Sequence, residues 1–167
     1  GIEEGALMWM IISSMNQNGL EALATSGMPL PAPQIPVEVR PATLDDFDFI
    51  DRLQTSFSKQ LGYMPRQQLE GKIEAGHVLV AWASSPSAQE ERTGWKPLPR
   101  GFIIGADRYF KRDDWGIIYQ LCVEEGVRRG LVGAMLVKAM FDRAAYGCRL
   151  FCCWCAQDNE ANKFWES

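Results

Sequence analysis

One histidine, His77, stands alone in 167 residues. A histidine-rich metal site is excluded, and a Cys–His or Ser–His relay would have to use that one residue. No apolar run approaches the ~20 residues of a membrane-spanning helix. The longest candidate, Ala6 to Ile12, is preceded by Glu3 and Glu4, where a secretory signal would carry positive charge. A cytoplasmic protein with no membrane association is the expectation. Excess positive charge is also lacking. The net charge is −4, which argues against general nucleic-acid binding and leaves room for a cationic substrate such as an amine.

Five cysteines are present, four of them late: Cys148, Cys152, Cys153 and Cys155. Their spacing is not that of two Cys-x-x-Cys knuckles. On a strand, Cys153 and Cys155 would face one way and Cys152 the other. They read as small buried hydrophobes in a reducing compartment, with no metal.

What remains is ordinary for one globular domain, with 47% apolar and 23% charged residues. Residues 1–36 read as an extension and linker, with Pro29, Pro31, Pro33 and Pro36 enforcing extended chain. Residues 37–167 read as the domain. Val37–Arg40 alternates as a strand. Thr43 caps a helix over 44–58, with Phe47, Ile50, Leu53 and Phe57 on one face. A turn at Gly62–Pro65 leads to a helix over 66–75, which Gly76 stops. Strands follow over 77–83, 100–107 and 115–123, separated by a long loop over 84–98 and a turn at 111–114. A helix over 128–145, a strand over 149–155 and a helix from 158 complete the order. This is a mixed α/β layer fold with one central sheet, antiparallel at first and parallel across the 115–155 unit.

The most informative stretch is Leu121-Cys122-Val123, then Glu124-Glu125-Gly126-Val127, then Arg128-Arg129-Gly130-Leu131-Val132-Gly133-Ala134. An apolar strand ends in a polar turn, and arginines with small residues open a helix. Helix N-termini present unpaired N–H groups and partial positive charge, so this order suits an anion. The expected donors are the N–H groups of Arg129, Gly130, Leu131, Val132, Gly133 and Ala134, with Arg128 or Arg129 adding charge. The alternative is an ordinary strand-to-helix turn.

Arg128-Arg129-Gly130-Leu131-Val132-Gly133 resembles the Arg/Gln-x-x-Gly-x-Gly/Ala loop of the GNAT acetyltransferase superfamily, with Leu131 at the usual inner glycine. Asp158 to Ser167 resembles the same family's Asn-x-x-Ala-x-x-Phe-Tyr helix, with Trp165 at the usual tyrosine. The resemblance spans residues 37–167. It implies the mixed central sheet of the GNAT acyl-CoA N-acyltransferase type, and direct acetyl transfer from acetyl-CoA to an amine on a small molecule or protein. The family usually continues for two more strands. The expectation is therefore an incomplete sheet edge lacking the last strands, tolerated only if the chain is a fragment or if a partner or the 1–36 extension covers it.

The resemblance further implies that Leu121, Cys122 and Val123 offer backbone groups to the pantetheine arm, and that Asn159, Asn162 and Trp165 line the cofactor side. Trp165 cannot serve as an acid. Glu124, Glu125 and Asp107 are the candidate bases, the two glutamates lying beside the cradle, against the alternative of a solvated turn. Tyr63, Met64, Trp82, Tyr119 and the 84–98 loop are candidates for the acceptor side. Cys122 as a covalent nucleophile would need a nearby histidine. A non-catalytic acyl-CoA sensor and a scaffolding module remain alternatives, and a homodimer is left open.

Overall fold

The computed structural model describes residues 7–13, 36–84, 96–127, 130–144, 148 and 150–156. Strand β1 is Leu7–Ser13 and β2 is Val37–Pro41. A 3-10 turn, Leu44–Asp46, leads into α1, Phe47–Ser56, then α2, Ser58–Leu61, and α3, Arg66–Glu74. Strands β3 (Val78–Ala83), β4 (Pro99–Ala106) and β5 (Trp115–Val123) follow. A second short turn, Glu125–Val127, precedes α4, Val132–Ala144, and β6 is Leu150–Ala156.

These elements form one six-stranded sheet in the order β1-β6-β5-β4-β3-β2. Every pairing is antiparallel except β5 with β6, which is parallel. The mixed α/β sheet is the expected fold class. Within the 1–36 extension, Leu7–Ser13 is a strand of the sheet. It pairs along all of β6, from Leu7 with Ala156 to Ser13 with Leu150, and so covers the edge that the absence of the last strands would leave open. The final helix expected from residue 158 lies outside the described residues, as does most of the 84–98 loop.

Both faces of the sheet are covered because alternate strand residues point to opposite sides. Val78, Val80, Phe102, Ile104 and Cys122 pack with Phe47, Ile50 and Leu53 of α1 and with Leu69 and Ile73 of α3. Leu79, Ala81, Ile103 and Ile118 pack instead with Val132, Leu136, Met140 and Ala144 of α4. The central strands are thus apolar on both sides, which the continuous runs in β3 and β4 reflect.

Two helix boundaries differ from expectation. The 44–58 segment is a 3-10 turn followed by α1, and it breaks at Phe57. Its start is fixed by Asp46, which accepts the Thr43 N–H at 2.8 Å and pairs bidentately with Arg40 at 2.9 and 3.0 Å. The helix expected from Arg128 begins at Val132, because Val127 and Gly130 close short turns first. Gly76 does end α3 with φ +69°, as a left-handed stop.

Candidate active site

The site is built around β5, whose two edges behave differently. Toward β4 the pairing runs from Ala106 with Ile117 to Gly101 with Val123. Toward β6 it covers only Trp115 to Ile118, against Leu150 to Cys153. Past Ile118 the two parallel strands separate. At the same level β5 carries one extra residue, Tyr119, because Ile104 faces Gln120 while Gly105 faces Ile118. Such a bulge bends a strand and raises its twist, which helps β5 leave its parallel neighbour.

Beyond the fork the peptide groups of β5 alternate. The Glu124 N–H donates to the Arg100 carbonyl at 2.9 Å, so residues of that parity face β4. Cys122 shares it, and its peptide groups belong to the β4 ladder. Those of Leu121 and Val123 point the other way, into the fork. Of the three backbone positions expected to meet a ligand, two are therefore aimed at the opening and Cys122 is not. The Cys122 side chain is buried in the α1–α3 core.

The close β4–β5 contact depends on Gly101. A Cβ there would lie 2.7 Å from the Cys122 carbonyl oxygen, so no larger residue fits without moving backbone.

Past Val123 the chain turns tightly. Val127 N–H donates to the Glu124 carbonyl at 3.1 Å, and Gly130 N–H to the Val127 carbonyl at 3.2 Å. Gly130 is thereby removed from the set of expected anion donors. Leu131 has φ 63°, in the left-handed region that a leucine rarely occupies. Glycine, usual at this position of the motif the stretch resembles, would adopt that conformation without strain.

The Met135 N–H donates to the Leu131 carbonyl at 3.0 Å, which makes Leu131 the cap of α4. A leucine side chain cannot satisfy the N–H groups of Val132, Gly133 and Ala134, and helix geometry gives those groups no acceptor within α4. A left-handed residue leading into helix N–H groups that have no acceptor within α4 is a backbone concavity suited to an anion. Arg128, Arg129, Asn159, Asn162 and Trp165 lie outside the described residues.

The candidate bases are placed unequally. Glu124 stands at the turn, ion-paired to Arg52 at 3.6 Å and Arg100 at 3.5 Å, with Arg100 largely buried. Glu125 is exposed beside it. Asp107 follows β4 at the opposite end, next to a cavity of about 110 Å³ that His77, Met140 and Arg143 help line. That is roughly 20 Å along the strands from the turn, so Asp107 is not brought to the site. His77 is there too. Burial, with Lys72 and Arg143 nearby, holds its pKa below the usual value, and Asp107 opposes them.

On the acceptor side, the turn Gly62–Pro65 lies over β5. Gln54 pins it, donating to the Met64 carbonyl and accepting from the Met64 N–H, both at 3.0 Å. Tyr63 is exposed and donates to Asp51 at 3.1 Å, which raises its phenol pKa. Tyr119 is exposed, with the Lys72 ammonium 4.5 Å from its ring centre; partial burial raises its pKa. Trp82 sits two strands from β5, stacked against Arg40 at 4.9 Å, and does not join this group.

Gln120 was no candidate in the sequence, because a lone glutamine in an apolar strand carries no motif. It is 5% exposed and reaches the same turn, donating to the Gly62 carbonyl at 3.3 Å. Among the described residues no group of three or more His, Cys, Asp or Glu side chains is arranged to hold a metal ion. No described helix is long and apolar enough to cross a membrane.

No protein-family model and no curated protein sequence matches the chain. Solved structures do. N-acetylglutamate synthase from Neisseria gonorrhoeae, complexed with coenzyme A and N-acetyl-glutamate, aligns with a TM-score of 0.61 at 20% identity. The alignment covers 78% of this chain and 27% of the synthase, so the chain spans about a quarter of that protein. Ard1 from Thermoplasma volcanium aligns with a TM-score of 0.61 at 17% identity, covering 78% of this chain and 79% of that one. A GCN5-related N-acetyltransferase from Ralstonia eutropha gives 0.53 at 17%, over 78% and 90%. At these identities the likeness is one of fold: this chain has the mixed α/β GNAT fold.

Proposed function

We propose that the protein is an acetyl-CoA-dependent N-acetyltransferase that moves the acetyl group directly to an amine. The observation that carries this reading is the fork: β5 leaves β6 after Ile118, and the peptide edges of Leu121 and Val123 open there, ahead of the start of α4. Acetyl-CoA would supply the activated acyl thioester. The residues present fit its chemistry, a row of strand donors and acceptors for an amide-bearing arm and helix N–H groups for a pyrophosphate.

In this reading the N–H groups of Leu131, Val132, Gly133 and Ala134 hold the pyrophosphate, with charge from Arg128 and Arg129. Leu121 and Val123 bind the pantetheine arm as a neighbouring strand would. Asn159, Asn162 and Trp165 are proposed to line the same cofactor. Arg52 and Arg100 make Glu124 a support of the turn. Glu125 is the carboxylate proposed to take the amine proton, through water. The acceptor is a small-molecule or protein amine, approaching from the side of the Gly62–Pro65 turn. A cytoplasmic location and a homodimer are compatible with this role.

Calorimetric titration with coenzyme A, followed by assay of thiol release from acetyl-CoA with a panel of amines, tests the proposal. Saturable binding and amine-dependent release are expected. Absence of coenzyme A binding would overturn it, and binding without turnover would favour an acyl-CoA sensor.

A further inference from the structure

Two buried glutamines hold the turn Gly62–Pro65, and they are not equivalent. Gln54 is completely buried and fully used. Its Nε2 donates to Met64 O and Asp51 Oδ1, and its Oε1 accepts from Met64 N. Gln120 meets the turn from the strand side. Its Nε2 donates to the Gly62 carbonyl, which fixes which end of the amide is which. Its Oε1 is buried and has no hydrogen-bond partner among the described residues.

A buried acceptor left unpaired is destabilising, and a core can remove the problem with an apolar side chain of similar size. The neighbours that face the α1–α3 core from β4 and β5, Phe102, Ile104 and Cys122, are apolar, while the largely buried Arg100 at the start of β4 pairs with Glu124. Gln120 lies two residues past the last β5–β6 pair and one residue before Leu121, whose peptide edge enters the fork.

We infer that Gln120 positions the acceptor amine, with Oε1 receiving an N–H of the incoming nitrogen while Nε2 stays anchored on Gly62. This deepens the acetyltransferase reading and rests on it. An acceptor held this way must offer an N–H. It must also be slim enough at the nitrogen to pass between β5 and the turn, so the ligand class is an unhindered primary amine. Accepting a hydrogen bond leaves the nitrogen lone pair free to point elsewhere, toward the fork where the thioester would lie. Gln120 takes no proton, so it is a positioning and specificity residue rather than a base.

The test uses the full chain with Gln120→Met and Gln120→Glu. Methionine fills similar volume without an acceptor. Glutamate keeps an acceptor oxygen but loses the donor to Gly62. The probe is the best substrate from a panel comprising an amino acid, a diamine, an aminoglycoside and a short peptide with a free N-terminus. Gln120→Met should raise the KM for the amine about 10- to 100-fold. It should leave the coenzyme A Kd within about twofold, and its melting temperature should not fall. Gln120→Glu should lie between wild type and Gln120→Met in amine KM. Unchanged amine KM in both variants, with normal coenzyme A binding, would overturn the inference and leave the function standing. A lowered melting temperature with unchanged amine KM would make Gln120 a structural strut and overturn it as well. If wild type neither binds coenzyme A nor acetylates any probe, the functional reading fails first and takes this inference with it.

Discussion

The two edges of β5 are one strand under two rules. Toward β4 it is paired along its length, and Gly101 lets the backbones approach closely. Toward β6 it is paired over four residues and then released. The contrast teaches that the opening is not a weak part of the sheet. The strand is held rigidly from one side so that the other side can stay unpaired, and the same backbone that completes the core presents Leu121 and Val123 outward.

Loading the closed edge should give the largest effect. Gly101→Ala places a methyl group against the Cys122 carbonyl and should destabilise the fold by about 1–3 kcal/mol, read from chemical denaturation. Full stability in that variant would mean that β4 and β5 do not need their close approach.

A change on the open side should behave oppositely. Gly133→Asp puts negative charge at the α4 N-terminus, which favours the helix but repels a phosphate. Coenzyme A affinity should drop about tenfold, or about 1.4 kcal/mol, while the melting temperature holds or rises. Unaltered affinity would move the pyrophosphate away from α4.

Leu131→Gly should act more mildly. It relieves a left-handed leucine but adds freedom to the unfolded chain, for a net gain of about 0.5–1 kcal/mol. A loss of stability would show that the leucine side chain outweighs its backbone strain.

The smallest effect belongs to His77, at the end of the sheet remote from the fork. Its folded pKa is depressed by burial, with Lys72 and Arg143 adding to the effect. The unfolded chain therefore binds the proton more readily. The stability this contributes is present above the unfolded value, about 6.5, and is lost as pH falls toward the folded one. His77→Gln should flatten that dependence in a denaturation series from pH 5 to 8. An unchanged slope would assign it to other groups.

Much of this architecture is written locally. The alternation at Val37–Arg40, the cap at Thr43 and the Gly76 stop depend on near neighbours and were legible for that reason. The polar turn after the apolar run of β5 suggested an anion site at the start of the next helix, and the family resemblance implied open backbone groups at Leu121 to Val123. Other features required the assembled fold. Leucine disfavours positive φ, so nothing in its identity announced that Leu131 would take the shape of a glycine. That Glu124 is held by Arg52 and Arg100 depends on residues from α1 and β4. Gln120 is distinguished by what its oxygen fails to meet. Leu7–Ser13 was not read as a strand because its pairing partner, β6, lies almost the full chain away.

That last pairing bears on how the molecule assembles. β1 and β2 are neighbours in sequence but occupy opposite margins of the sheet, so β1 meets β6 only by closing nearly the whole polypeptide into a ring. Loop-closure entropy places such a contact late, after the hairpins β2–β3, β3–β4 and β4–β5 have formed. Of the six strands, the one earliest in the sequence is thus the one that docks last, and it cannot settle until β6 has been made.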